Sequence, residues 1–149
     1  MNYYHLLNQL KEHEGFRAHP YKDTVGKWTI GYGRNLDDVG ISQDEAEQLL
    51  RNDINTAILA AKGLVPRFDN LTDIRKEVLV NMVFNMGPTR VAGFRKMLAA
   101  IEEEEWGKAA EEMLDSQWAR QVKRRAHELA FAMQENRWPD VNPPRNSSL

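Results

Sequence analysis

The segment from Thr72 to Met86 constrains the fold more than any other part of the sequence, because it predicts a helix that is apolar on nearly every side. Ile74, Val78, Met82 and Met86 recur at intervals of four residues, and further apolar residues stand between them. This spacing is typical of an α-helix. Because a helix without a polar face must be covered by other elements, the segment predicts the centre of a helical body.

Helical patterns occupy much of the remaining chain. Ser42 and Glu45 have the spacing of a capping box, in which the first residues of a helix bond each other's backbone N–H groups. The box predicts a long connecting helix over residues 43–62, which ends at Gly63. Apolar periodicity predicts shorter helices over residues 1–14, 91–105, 106–114 and, as one or two helices, 118–134.

Between residues 16 and 33 the pattern changes to one typical of β-strands. A turn signal at residues 23–26 is followed by an alternation of apolar side chains with Thr29, Gly31 and Gly33. A hydroxyl beside two glycines makes a strip where a ligand can approach the backbone closely.

Together these elements predict an α+β fold that is mainly α, formed as a single domain over residues 1–149. We expect a small N-terminal β-hairpin lobe over residues 15–45, followed by the long connecting helix. We expect a helical lobe built from residues 1–14 and 63–138, and an irregular tail over residues 139–149.

The composition excludes several kinds of site. The 149 residues include no cysteine, which excludes disulfides, thiolate zinc sites and cysteine nucleophiles. The four histidines show no metal-ligand spacing. With 20 Lys+Arg against 22 Asp+Glu, the net charge of −2 argues against nucleic-acid binding. One alternative stays open, a helix-turn-helix contact with phosphates through Arg120, Lys123, Arg124 and Arg125, although no recognition-helix signature accompanies it.

The hydropathy of the chain predicts no membrane segment. No apolar run approaches the roughly 18 residues that a membrane-spanning helix needs. The first residues have neither the cationic start nor the uninterrupted apolar stretch of a signal peptide. We therefore expect the protein to be made and held in a cytoplasm.

Two carboxylates stand close together in the chain in different surroundings. Glu14 is the last residue before Gly15 and follows Leu10 by four, so we expect it on the apolar face at the negative end of the helix dipole. Both placements favour its protonated form. Asp23 lies in a polar turn, where ionisation is easy. Glycoside hydrolysis requires such a pair of carboxyls, although a solvated helix end beside a turn would show the same two acids.

Seven short motifs follow one another along nearly the whole chain, from residue 1 to about residue 138. They are Glu14-Gly15, Tyr21-Lys22-Asp23-Thr24, TIGYG at residues 29–33, DEAE at 44–47, NMVFNMG at 81–87, VAGF at 91–94, and Ser116-x-Trp118 with Arg125-Ala126. In content and order these motifs resemble the phage lysozymes of the T4 type, the muramidases of glycoside hydrolase family 24.

The resemblance implies a lysozyme-like fold and cleavage of the β-1,4 bond between N-acetylmuramic acid and N-acetylglucosamine in peptidoglycan. It implies no cofactor and no metal, and inversion at the anomeric carbon. Glu14 matches the family's general acid, Asp23 its second carboxylate and Thr29 the hydroxyl that helps to place the attacking water. Arg125 matches the arginine that pairs with the catalytic glutamate, and its guanidinium would favour the ionised form of that acid.

Four further matched positions are expected to contact or support the substrate: Gly33, Asn35, Phe84 and Asn85. Phe84 keeps an aromatic ring on the substrate side. Asn85 replaces a longer amide and Asn35 an apolar residue, so the contacts with substrate differ from the family's pattern at these two positions.

Arg34 departs from the family's pattern, which has a histidine at the end of this strand. Asp53 follows Leu49 by four and precedes Ala57 by four, which places a carboxylate on the apolar face of the connecting helix. A buried carboxylate needs a partner. We therefore expect a direct Arg34–Asp53 ion pair between the hairpin and the connecting helix.

The implied partner is bacterial peptidoglycan, reached in the periplasm or cell wall after release from the host cytoplasm with the help of a separate holin. We expect a monomer that causes cell-wall lysis and binds no nucleic acid. The alternative, from a different functional class, is a wall-binding or structural protein that kept the fold and lost catalysis. The presence of Glu14, Asp23 and Thr29 together favours the enzyme.

Overall fold

A computed structural model describes residues 1–140 of the chain. Most of the tail predicted over residues 139–149 therefore lies outside the described residues. The chain forms two compact units, Met1–Leu50 and Arg51–Leu149. Its many helices and single small sheet confirm the predicted α+β, mainly α class.

The first unit contains one complete helix, a three-stranded antiparallel sheet and the start of the next helix. Its elements are α1 (Tyr3–Glu14), β1 (Arg17–Lys22), β2 (Trp28–Gly31) and β3 (Arg34–Asn35). Helix α1 begins after Asn2, whose side chain accepts a hydrogen bond from the backbone N–H of His5 at 3.0 Å. It ends at Gly15, which has a φ of 71° that favours glycine.

The strands pair in the order β1-β2-β3, so that β2 lies in the middle of the sheet. Tyr21 of β1 faces Thr29 of β2. On the other side of β2, Thr29 faces Asn35 and Ile30 faces Arg34. Strand β3 has only 2 residues, which is too short for the alternation of side chains that would have predicted it.

The sequence predicts that other elements cover the apolar side of α1, but in the structure this side is exposed. No residue of α1 is buried, and Leu6, Leu7 and Leu10 are 38%, 37% and 46% exposed. Glu14 is also exposed. The expectation that Glu14 shares a buried apolar face is therefore wrong, whereas its place at the end of a helix is as predicted.

Contacts with the turn between β2 and β3 place α1 in the first unit. Lys11 Nζ lies 5.6 Å from the centroid of the Tyr32 ring, and the Glu14 carboxyl lies against Gly33. This differs from the sequence-based assignment of residues 1–14 to the helical lobe, since side-chain contacts rather than helical periodicity determine which unit a helix joins.

Helix α2 (Gln43–Leu64) begins with the predicted capping box and runs 2 residues beyond the predicted end. Ser42 Oγ accepts a hydrogen bond from the Glu45 N–H at 3.1 Å, and Glu45 Oε1 accepts one from the Ser42 N–H at 2.8 Å. These bonds satisfy two backbone donors that a helix start would otherwise leave unpaired.

Arg34 forms its ion pair with Glu45, which corrects the predicted pair with Asp53. Its Nη2 lies 2.6 Å from Glu45 Oε2, while Nη1 donates to Glu45 Oε1 at 2.7 Å and to the carbonyl of Gly40 at 3.0 Å. Glu45 lies in the first turn of α2, directly after the loop that follows β3. Asp53 is exposed, so the need for a partner that motivated the prediction does not arise.

The second unit is helical. After α2 it contains a 3-10 helix (Phe68–Asn70), α3 (Asp73–Met86), α4 (Pro88–Ala92), α5 (Arg95–Glu102), α6 (Trp106–Leu114), α7 (Gln117–Val122) and α8 (Arg124–Glu135). The ranges of α3 and α6 match the predicted helices. The single helix predicted over residues 91–105 is instead two helices, α4 and α5, separated at Gly93 and Phe94.

Helix α3 occupies the core, as its sequence predicts. Val78, Leu79 and Met82 are at most 1% exposed. The largest fully buried side chains from other helices are those of Val91, Met97, Ile101, Met113 and Met133. Contributions from four other helices explain why the sequence of α3 shows no polar face.

The ion pair of Arg34 and Glu45 makes stability depend on pH in a predictable direction. The hydrogen bonds from Arg34, and then from Ser42, lower the pKa of Glu45 from 4.5 to about 2. The stabilisation is therefore present above about pH 4.5 and is lost as the pH falls through about 2.

We expect the free energy of unfolding of the native protein to exceed that of Glu45→Gln above about pH 5, and this difference to vanish near pH 2. Urea unfolding of both proteins across this range measures it. The effect is small because both side chains are partly exposed to solvent. A difference that did not change with pH would contradict the assignment of Glu45 as the titrating group.

Candidate active site

Glu14 and Gly33 are in direct contact. A methyl group at Gly33 would lie 2.9 Å from Glu14 Oε2 and 3.2 Å from its Cδ, closer than side-chain carbon atoms normally approach other atoms. The φ of Gly33 is 78°, which also favours glycine. The last residue of α1 thus rests its carboxyl on the backbone that leads into β3.

Asp23 organises the turn between β1 and β2. Its Oδ1 accepts hydrogen bonds from the backbone N–H groups of Val25 at 3.0 Å and Lys27 at 2.8 Å. The backbone of Asp23 also bonds to Lys27 O and Gly26 N. Both of these side-chain bonds fall on Oδ1, so the backbone of the turn holds one oxygen of the Asp23 carboxylate in place.

Thr29 is 4% exposed and its hydroxyl has a defined orientation. Thr29 Oγ1 donates a hydrogen bond to the carbonyl of Lys27 at 2.9 Å. Lys27 therefore joins the two predicted site residues, since its N–H bonds to Asp23 and its carbonyl bonds to Thr29. The sequence did not single out Lys27, because this role is performed by backbone atoms.

Asn35 is engaged within its own loop. Its Nδ2 donates to Asp38 Oδ2 at 3.0 Å, and its Oδ1 accepts from the backbone N–H of Asp38 at 2.9 Å. Asp38 also forms an ion pair with Lys27 at 3.1 Å. Both ends of the Asn35 amide thus support the loop after β3, and this contrasts with the substrate contact that we expect from the resemblance.

In the second unit, two predicted site residues are held by side chains that the sequence did not pair with them. Arg125 donates from Nε and Nη2 to Asn81 Oδ1 at 2.9 and 2.7 Å. Asn85 Oδ1 accepts a hydrogen bond from Trp118 Nε1 at 2.7 Å. Both partners lie within the motifs at residues 81–87 and 116–118, but motif order alone does not reveal contacts between them.

Phe84 presents its ring to a groove in the second unit. The side chain is 45% exposed, which is unusual for a phenylalanine on the central helix of a core. The groove is lined by Asp53, Thr56, Ala57, Ala60, Val83, Phe84 and Pro88. The ring is therefore open to solvent at this groove, and its contact with substrate stays a prediction.

Two other kinds of site find no support in the part of the chain that the structure describes. Within residues 1–140, no three His, Asp or Glu side chains are placed to hold a metal ion. None of the helices in that range is both long and apolar enough to cross a membrane.

Comparison with known proteins identifies one matching family. The family model described as phage lysozyme matches residues 11–131. A probable T4-type lysozyme 2 of Dictyostelium discoideum is 34% identical over 153 residues, which cover 83% of this chain and 90% of the relative. A probable T4-type lysozyme 1 of the same organism is 32% identical over the same shares of the two chains. An endolysin of Acyrthosiphon pisum secondary endosymbiont phage 1 is 40% identical over 86 residues, 54% of this chain and 56% of that protein.

The contact of Glu14 with Gly33 can be tested with two alanine substitutions. Gly33 and Gly31 both have positive φ, 78° and 70°, but a methyl group at Gly31 meets no described atom within 4 Å. We expect Gly33→Ala and Gly31→Ala to lower the free energy of unfolding by a similar amount, about 1–2 kcal/mol.

Only Gly33→Ala should displace the Glu14 carboxyl, whose flexible end must move away from the new methyl group. The ¹³C chemical shift of that carboxyl, measured by NMR, should therefore change in Gly33→Ala and stay as in the native protein in Gly31→Ala. Equal shifts in the two variants would argue against the contact.

Proposed function

The chain belongs to the phage lysozyme family, and from this premise we propose that it is a glycoside hydrolase that lyses bacterial peptidoglycan. The proposed bond is the β-1,4 linkage between N-acetylmuramic acid and N-acetylglucosamine. The observation that carries the proposal is that the first unit holds Glu14, Asp23 and Thr29 in ordered surroundings, each fixed by backbone contacts.

Glu14 is proposed as the general acid. Its carboxyl is exposed, so a substrate can reach it, and its contact with Gly33 limits where the carboxyl can lie. When the bond breaks, Glu14 donates a proton to the oxygen of the leaving sugar. A general acid acts only within hydrogen-bond reach of that oxygen, so a fixed carboxyl position favours the reaction.

Thr29 is proposed to orient the attacking water. A hydroxyl has one proton and two lone pairs, and the proton of Thr29 is already donated to the Lys27 carbonyl. The hydroxyl can therefore only accept a hydrogen bond from water, which leaves a lone pair of that water free to attack the anomeric carbon. Asp23 is proposed as the second carboxylate, with its Oδ2 facing the substrate.

A wall-binding or structural protein on the same fold is the competing function. The two are separated by measuring clearing of chloroform-treated Gram-negative cells together with the release of reducing ends from purified peptidoglycan. Clearing with release of reducing ends supports the enzyme. Binding to peptidoglycan without either change supports the competing function.

Glu14→Gln tests the acid. Glutamine keeps the shape of the side chain but has no acidic proton, so we expect the rate of reducing-end release to fall by roughly 10²-fold or more. Glu12→Gln is the matched control, because it removes the same charge from an exposed position of the same helix. Near-native clearing of cells by a folded Glu14→Gln protein would contradict the assignment of Glu14 as the general acid.

The stereochemistry of the product tests the proposed roles of Asp23 and Thr29. If these two residues place water on the face opposite the leaving group, the first product is the α anomer, the result of inversion. Proton NMR of the reducing ends, recorded before mutarotation, distinguishes the anomers. An initial β anomer would show that the reaction proceeds through a different arrangement, with retention of configuration.

A further inference from the structure

Strand β3 is the shortest element of the sheet and borders two of the proposed site residues. Its first residue, Arg34, directly follows Gly33, against which the Glu14 carboxyl rests. Its second residue, Asn35, lies opposite Thr29. A strand of only 2 residues forms few hydrogen bonds with the neighbouring strand, so the position of β3 depends on other contacts.

Arg34 supplies such contacts with both of its terminal nitrogens. Nη1 donates to the Gly40 carbonyl and to Glu45 Oε1, and Nη2 lies 2.6 Å from Glu45 Oε2. Glu45 is itself fixed, since its side chain accepts the Ser42 N–H in the capping box of α2. The guanidinium therefore ties the start of β3 to the first turn of a helix of 22 residues.

The stability of the protein does not explain this arrangement. The side chains of Arg34 and Glu45 are 36% and 43% exposed, and solvent weakens ion pairs at such positions so that they add little to stability. The contact is nevertheless bidentate, so it fixes the orientation of the guanidinium as well as its distance from the carboxylate. What the pair provides is a defined position for the backbone at Gly33 and Arg34.

We infer that Arg34 and Glu45 act as positioning residues for the Glu14 carboxyl, and this inference rests on the proposed function. The path is short: the guanidinium holds Arg34, the peptide bond joins Arg34 to Gly33, and Gly33 forms the surface on which the carboxyl lies. A misplacement of about 1 Å at a reacting group can reduce the rate by up to 10²-fold. Loss of the pair therefore lowers turnover while substrate binding is retained.

Three variants separate positioning from stability. Arg34→Met removes the pair, and Arg34→Lys keeps the charge but cannot make the bidentate contact. Glu45→Gln keeps the capping box, in which glutamine also serves, and weakens only the contact with Arg34. The matched control is Arg67→Met, because Arg67 likewise donates to a carbonyl, that of Glu102, and lies 2.6 Å from a carboxylate, that of Glu104.

The experiment measures kcat and KM for reducing-end release from solubilised glycan strands, at a temperature where circular dichroism shows each variant to be folded. We expect kcat to fall about 10-fold in Arg34→Met and less in Arg34→Lys, with KM within about twofold of the native value. Arg67→Met should keep the native kcat. The double variant Arg34→Met/Glu45→Gln should lose no more than Arg34→Met alone, because both substitutions break the same contact.

A kcat loss no larger than that of Arg67→Met, or multiplicative losses in the double variant, would overturn the inference. A second readout keeps it separate from the proposed function. The ¹³C shift of the Glu14 carboxyl should change in Arg34→Met and remain native in Arg67→Met, whether or not the protein cleaves peptidoglycan. A native protein that releases no reducing ends would refute the proposed function, and an unchanged carboxyl shift would refute the positioning.

Discussion

The geometry of the first unit depends on hydrogen bonds, because this part of the chain has almost no apolar interior. Within residues 1–50, Thr29 is the one residue that is buried, and every buried apolar side chain in the described chain lies at Ala57 or beyond. A buried apolar core therefore does not position Glu14 and Asp23. Directional hydrogen bonds from the backbone hold Asp23, and the Glu14 carboxyl lies against the backbone at Gly33.

The second unit is organised by the opposite principle. The side chains of α3 meet those of neighbouring helices in a continuous apolar core, where shape and volume determine the arrangement. The buried polar exception, Arg75, is bonded to the carbonyls of Met133 and Gln134 at the end of α8 and lies 4.0 Å from the ring centroid of Trp106. These bonds pair carbonyl groups at the C-terminal end of α8, and they give the buried guanidinium the hydrogen-bond partners that a buried charge needs.

This contrast explains which parts of the molecule could be predicted from sequence. The sequence predicts α6 at its observed bounds and α3 to within one residue, because burial leaves a periodic apolar pattern. The capping box of α2 was predicted because its two residues are only three positions apart. The sequence predicts neither the bounds of β3 nor the Arg34–Glu45 pair. Strand β3 has only 2 residues, which is too few for a pattern, and the paired residues lie 11 positions apart.

For the candidate site, the sequence names residues by resemblance but does not reveal the contacts that hold them. The resemblance supplied Glu14, Asp23 and Thr29, while Lys27 takes part through its peptide groups, which every residue type possesses. The amides of Asn35 and Asn85 illustrate the same limit. An asparagine can bind a substrate or complete a loop with the same atoms, and only its neighbours decide which. In this chain the neighbours are Asp38 and Trp118.

A site held by directional bonds rather than by a core responds to substitution in a particular way. Removing a methylene group from α3 leaves a cavity among the packed helices. The result is a lower free energy of unfolding. Removing a hydrogen bond from the first unit frees one segment, while the neighbouring bonds keep their geometry. The alignment of the carboxyl groups in the first unit therefore depends on a few single contacts, whereas the buried apolar core, which lies in the second unit, takes no part in it.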